Sequence, residues 1–172
     1  MAKPQVGKIK YAEFGTEMGP MLAAADTGGL IHLTFQKGED PLVPGHDWVC
    51  EPAAFKTLAQ GVRMYLSGAG ELPKTTLGNL GGTEFQRLVW KRLQAIPSGR
   101  TCTYGDIAKE IGRPKASRAV GAACGANPVP LFIPCHRVVG AKGSMTGFSC
   151  GIGYKRQLLK LEGFREKDLA KV

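Results

Sequence analysis

Between residues 8 and 36, apolar and polar positions alternate loosely, interrupted by Gly15-Thr-Glu-Met-Gly-Pro20 and by Asp26-Thr-Gly-Gly29. Period-two alternation broken by turn residues predicts short antiparallel strands over residues 8–14, 20–26 and 30–36. His32 in the third of these reads as structural. Pro41, Pro44 and Pro52, with two glycines, predict a loop over residues 37–52. The period then changes: Phe55, Leu58, Ala59, Val62 and Leu66 recur at helical spacing, predicting an amphipathic helix over residues 53–67 that ends near Gly68. Five glycines and Pro73 between residues 68 and 82 mark the best candidate for a linker.

Beyond the linker the pattern is helical. Thr83 followed three residues later by Gln86 forms a capping-box pattern, and Phe85, Leu88, Val89, Leu93 and Ile96 mark the buried stripe of a helix that ends at Pro97-Ser-Gly99. Tyr104, Ile107, Ala108 and Ile111 predict a second short helix stopping at Gly112-Arg-Pro114, and Ser117 is placed to cap a third that begins at Arg118. Two short helices joined by a Gly-containing turn form a helix-turn-helix pattern. The third helix carries Ala119, Gly121, Ala122, Ala123, Gly125 and Ala126, almost without side chains to read a major groove. Such residues serve either tight helix packing or a close approach of the backbone to a minor groove. Tyr154, Leu158 and Leu161 predict a last helix closing at Gly163, with Glu162 at its C-terminal end. The helix dipole disfavours a carboxylate there, which gives Glu162 a reason to have a partner such as His136. The fold class is therefore α+β: a small N-terminal α/β domain with an antiparallel sheet over residues 1–80, then a mostly helical domain over residues 81–172 with a helix-turn-helix and a cysteine loop.

Charge sharpens this division. Residues 1–81 hold 7 Lys+Arg against 8 Asp+Glu, whereas residues 82–172 hold 16 against 6. All the excess positive charge lies in the second half, which fits a polyanion, and nucleic acid before others. A generally basic surface would not require such a split. At 172 residues and 43% hydrophobic composition the chain supports a real core. Its start lacks an apolar signal region and no apolar run approaches the ~18–20 residues of a membrane span, so the expectation is a soluble protein of the cytosol without membrane partners. Five cysteines at irregular spacing fit neither a disulfide framework nor a zinc knuckle.

The segment Asn127-Pro-Val-Pro-Leu-Phe-Ile-Pro-Cys-His-Arg-Val-Val-Gly140 carries the candidate chemistry. Its three prolines predict an extended, rigid lead-in to Cys135. A cysteine after an apolar run is often just a buried small hydrophobe. His136 and Arg137, however, set a base and a cation beside the sulfur, and such neighbours raise the thiolate fraction. Adjacent side chains on a strand point to opposite faces, so His136 serves Cys135 only if the chain turns or a water bridges them. The glycine-rich stretch 140–153 reads as a flexible rim over a pocket. It lacks both phosphate-loop patterns, which leaves nucleotide hydrolysis without support.

Tyr104-Gly-Asp-Ile-Ala, Arg118-Ala-Val-Gly, Asn127-Pro, Ile133-Pro-Cys-His-Arg-Val138, Gly143-x-x-Thr-Gly-Phe148 and Leu158-Leu-x-Leu-Glu-Gly163 follow one another in this order. Together they closely resemble the O6-alkylguanine-DNA alkyltransferases, over about residues 83 to 165. The resemblance implies a repair protein that transfers an alkyl group from O6 of guanine, and from O4 of thymine, irreversibly onto its own Cys135, once per molecule and without a cofactor. It implies that His136 acts as base through a water, that Glu162 orients His136, and that Asn127 braces the relay. Tyr104, Val138, Ser149, Phe148 and Pro130 would form the substrate pocket, with Tyr104 also giving a proton to the leaving guanine. Arg118 would fill the base stack, and Ser117, Gly121 and Gly125 would join Arg118 and Tyr104 in binding double-stranded DNA through the minor groove, without sequence specificity and as a monomer. Some members carry a structural zinc in the N-terminal domain; this chain has no cysteine before Cys50, so none is expected. Cys150 stands where many members have glycine, Phe148 where tyrosine is common and Glu84 where proline is common. A lesion-binding module without chemistry and a thiol hydrolase built on Cys135 and His136 are the alternatives. The first predicts an unchanged protein mass, the second repeated turnover.

Overall fold

The computed structural model describes residues 8–37 and 41–165, so residues 1–7 and residues 38–40 of the predicted loop lie outside the described residues. The chain divides into two compact units, Met1–Gly81 and Gly82–Val172.

In the first unit three strands form an antiparallel meander: β1 (Lys10–Thr16), β2 (Gly19–Asp26) and β3 (Gly29–Phe35). A fourth, β4 (Val49–Cys50), joins the sheet parallel to β1, giving the order β3-β2-β1-β4. This strand lies in the stretch expected to be only loop; two residues between prolines are too short for a periodicity to show. Met21, Leu22, Ala23 and Ala24 are all buried, so β2 is covered on both faces. One face carries Leu22, Ala24 and Ile31, packed with Tyr11, Leu42 and Trp48, and His32 lies half-buried 5.8 Å from the Trp48 ring. A 3-10 turn, Pro52–Phe55, leads into α1 (Lys56–Leu66), which buries Ala59, Val62 and Leu66. Part of the predicted linker is not free: Leu30 N–H donates to Thr76 O (2.9 Å), Gly78 N–H donates to Leu30 O (2.9 Å), and the Asp26 carboxylate accepts from Asn79 N–H (3.1 Å).

The second unit begins at α2 (Glu84–Gln94), where both hydrogen bonds of the Thr83/Gln86 capping box form. Its buried stripe is Val89, Trp90 and Leu93, and Leu88, expected inside, is 42% exposed. Trp90 takes the inner position because its Nε1–H reaches Ala123 O at 2.8 Å, which satisfies the buried donor. After β5 (Cys102–Thr103) comes α3 (Tyr104–Glu110), capped by Thr103 with Asp106 in a second capping box. Ser117 does not cap α4 (Ser117–Gly125): it is the first residue of the helix, and Ala116 at the N-cap offers no side-chain acceptor. A 3-10 turn over Cys135–Arg137 precedes β6 (Val138–Val139), and α5 (Ile152–Leu161) closes the unit. β5 and β6 pair in parallel, Cys102 with Val138 and Thr103 with Val139. This two-residue ladder places the start of α3 beside the chain that leaves Cys135. α5 buries Lys155, Leu158 and Leu159, whereas Leu161 is 39% exposed, so the expected Tyr154–Leu158–Leu161 stripe is rotated by one position. Gly163, at φ 91°, ends the helix, with Phe164 N–H returning to Leu159 O (3.1 Å). Among the described residues no helix is long and apolar enough to cross a membrane.

Candidate active site

The lead-in to Cys135 is turned, not extended. Ile133 N–H closes back onto Val129 O (3.0 Å), and Leu131 adopts a left-handed conformation with φ 79°. Asn127 holds this turn. Its Oδ1 accepts from Val129 N–H (3.0 Å), while Nδ2 donates to Ile133 O (2.7 Å) and to the Cys135 sulfur (3.1 Å). Both amide hydrogens are thereby used, and a buried amide with fixed partners sets the position of the sulfur. Pro130 is buried inside the same turn.

At Cys135–Arg137 the chain bends into a 3-10 turn, so Cys135 and His136 do not alternate across a strand. His136 is fully buried, with Nε2 2.9 Å from Glu162 Oε1. Glu162, whose side chain is 1% exposed, also accepts from Arg137 Nε at both oxygens (3.0 Å each) and from Arg137 Nη2 (2.7 Å). Arg137 Nη1 donates to Ile96 O (2.5 Å). Burial works against the Glu162 anion, but the hydrogen bonds and charges of His136 and Arg137 outweigh it and bring its carboxyl down to about 2. A carboxylate can only accept, so Nε2 carries the imidazole proton and Nδ1 holds a lone pair. Burial lowers the His136 pKa despite Glu162, which makes the ring neutral near pH 7. Nδ1 is buried without a hydrogen-bond partner among the described residues.

Arg137 is thus spent on Glu162, and its charge does not activate the thiol as the sequence suggested. Cys135 is 3% exposed, and burial pushes its pKa up to about 12 against the lowering effect of Asn127 and Lys155. The resting site holds a neutral thiol. A low-dielectric setting penalises the thiolate by more than one hydrogen bond and one distant cation return.

Lys155 was missed in the sequence. It is fully buried on α5, donating to Val138 O (2.5 Å) and Thr146 O (2.8 Å), with Nζ 6.0 Å from the Tyr104 ring centroid. Burial lowers its pKa to about 8, while the nearby Cys135 and Cys124 thiols pull the other way. The legible signal was a lysine three and four residues before Leu158 and Leu159, on the apolar stripe. Tyr104 shares the Thr146 carbonyl: its Oη lies 2.9 Å from Thr146 O and 3.0 Å from Gly147 O. Burial, with the neighbouring Cys124 and Cys135, raises the phenol to about 12, so it remains a proton donor.

Tyr104, Ser117, Arg118 and Gly121 line one cleft of about 480 Å³, with Thr103, Ala141, Thr146 and Gly147 on its other walls. Gly125, at the far end of α4, is not among its lining residues. Val138 and Phe148 are buried, and Ser149 is exposed on the loop that follows Phe148. On α4 the packed residues are Val120, Ala123 and Cys124, while Ala119, Ala122, Gly125 and Ala126 are exposed. Most of the small residues therefore face outward, where they leave the helix backbone approachable.

Comparison with known proteins places these residues in context. Residues 84–164 match the family model described as 6-O-methylguanine DNA methyltransferase, DNA binding domain. The chain is 46% identical over 153 residues to the methylated-DNA–protein-cysteine methyltransferase of Methanosarcina acetivorans, covering 89% of this chain and 97% of that one. The crystal structure of Mycobacterium tuberculosis O6-methylguanine methyltransferase superposes with a TM-score of 0.79 at 40% identity, over 90% of this chain and 92% of that one. The Mycobacterium tuberculosis OGT solved in complex with DNA gives 0.81 at 37% identity, over 94% and 96%.

Proposed function

This chain belongs to the family of methylated-DNA–protein-cysteine methyltransferases, and from that premise we propose that the Cys135 sulfur is the atom it alkylates and His136 the base that readies it. The protein repairs DNA by direct reversal, moving an alkyl group from O6-alkylguanine to a cysteine of its own. O4-alkylthymine is a second substrate in our reading. A base inside a duplex cannot present its alkyl carbon to sulfur in line, so the nucleotide is extruded, at a cost of a few kcal/mol that a damaged base lowers.

The observation that carries the reading is the buried, unpartnered Nδ1 of His136 beside a thiol fixed by Asn127. Nε2 is held by Glu162, so the free lone pair is the proton acceptor, through one water. As the proton leaves sulfur, the thiolate attacks the alkyl carbon and a C–S bond forms. The C–O6 bond breaks, its electron pair stays on guanine, and Tyr104 supplies a proton to the departing base. The proton that left sulfur replaces the one Tyr104 gives up, so charge balances. Lys155 favours the thiolate while it lasts, because a cation nearby lowers the thiol pKa. The product is a thioether, which no water can cleave here, so each molecule acts once.

Residues 81–172 carry both chemistry and DNA binding in this assignment, and residues 1–80 form a separate domain. Duplex DNA meets the exposed small residues of α4 from the minor groove, with Arg118 in the stack and phosphate contacts supplying affinity regardless of sequence. We place the protein, as a monomer, in a reducing cytosol suited to its free thiols. Incubation with DNA carrying O6-methylguanine should add one methyl to the Cys135 peptide by mass spectrometry. Cys135→Ala should bind the same DNA and gain no mass. A methyl on another residue, or none, would overturn the assignment.

A further inference from the structure

Tyr104 has one phenolic proton and two carbonyl oxygens within reach, Thr146 O at 2.9 Å and Gly147 O at 3.0 Å. Both belong to the loop that walls the cleft, and Tyr104 lines the same cleft. Lys155 Nζ holds Thr146 O independently, at 2.8 Å. The loop reaches the hydroxyl only because of the residue at 147. Gly147 has φ 59°, and a Cβ built there would lie 2.9 Å from Tyr104 Oη, closer than real Cβ contacts come, but 3.8 Å from Cζ, an ordinary contact. A side chain at 147 therefore collides with the hydroxyl alone.

We propose that Gly147 is a positioning residue for Tyr104: the bare glycine lets the hydroxyl dock on the 146–147 carbonyls, which hold it at the cleft until an extruded base takes over its hydrogen bond. The inference rests on Tyr104 as donor to the leaving base. In the free protein the phenolic proton is committed to the loop. When it turns to the base, Thr146 O keeps its bond from Lys155 and the loop stays anchored at 146 while 147 is released. Tyr104 is thus aimed before substrate arrives, and the loop opens beside the base without detaching. A preset donor speeds the transfer step without tightening DNA binding.

A double-mutant cycle tests this, with single-turnover methyl transfer from O6-methylguanine DNA measured for wild type, Gly147→Ala, Tyr104→Phe and the double variant. Gly147→Ala should lower the limiting rate roughly 10- to 100-fold while leaving the DNA concentration at half-maximal rate unchanged. In the Tyr104→Phe background the same substitution should change the rate by less than about twofold, since no hydroxyl remains to collide with. The strain of a left-handed alanine is common to both backgrounds and cancels. Full, multiplicative loss in the double variant, or a wild-type rate for Gly147→Ala, overturns the proposal. Amide exchange at Gly147 and Phe148 provides a readout that does not need the alanine variant to fold: it should quicken in Tyr104→Phe, and unchanged protection counts against docking. Absence of methyl on Cys135 in the wild type would instead defeat the assignment on which the proposal rests.

Discussion

Glu162 is the residue on which the site turns. It caps the C-terminal end of α5, where the helix dipole repels a carboxylate, and is held there by Arg137 and His136. The position of a glutamate at a helix end was visible in the sequence, and so was its pairing with His136. That Arg137 would turn from the sulfur to this carboxylate was not, because a guanidinium fork finds its partner only once the 3-10 turn at Cys135–Arg137 aims it. Replacing Glu162 by Gln leaves Arg137 without its buried counter-charge, and should lower stability at pH 7 by roughly 3–5 kcal/mol. The folded pKa, about 2, lies below the ordinary glutamate value of 4.5. The stabilisation is therefore complete above about 4.5 and is lost as pH falls toward 2. Thermal melts of wild type and Glu162→Gln should accordingly converge over that window; a constant difference would show that ionisation plays no part. The same variant should slow alkyl transfer, because the His136 tautomer is no longer dictated.

Among the elements, the helix caps separate what local sequence decides from what it does not. Thr83 and Gln86 form the box their spacing announces, since a capping box needs only four consecutive residues. Ser117 looked like a cap by the same rule, yet the helix starts one residue earlier: Val120 N–H already bonds to Ala116 O (2.9 Å), which makes Ala116 the N-cap and leaves Ser117 inside the first turn. Thr103 is the cap that went unnoticed, and it has a functional position: Tyr104 is the first residue of the helix it starts. Thr103→Ala should lower stability by about 1 kcal/mol and slow alkyl transfer through Tyr104. Ser117→Ala should change stability by less than about 0.5 kcal/mol. Chemical denaturation of the two variants checks the pair, and equal losses would contradict the observed caps.

On the scale of the whole molecule, reaction and stability are coupled through one buried atom. Cys135 is 3% exposed, and its sulfur accepts a hydrogen bond from Asn127. A methyl added there must fit a packed site and weakens that acceptor, so the alkylated protein should be less stable by about 1–3 kcal/mol. Differential scanning calorimetry before and after reaction with methylated DNA should show a lower melting temperature, and coincident transitions would refute it. By itself the sequence determined the α+β class, the meander, the helices, the concentration of positive charge in residues 82–172 and the order of Cys135, His136 and Glu162. Each of these depends on residue type, short-range period or summed charge. Only the tertiary structure decided that the thiol is buried and neutral, that Arg137 belongs to Glu162, that Lys155 and Tyr104 share the Thr146 carbonyl, and that Gly147 makes room for a hydroxyl 43 residues away. Those outcomes depend on which groups face each other across a packed interior, where desolvation and a fixed hydrogen-bond geometry override what neighbours in the chain would do to one another.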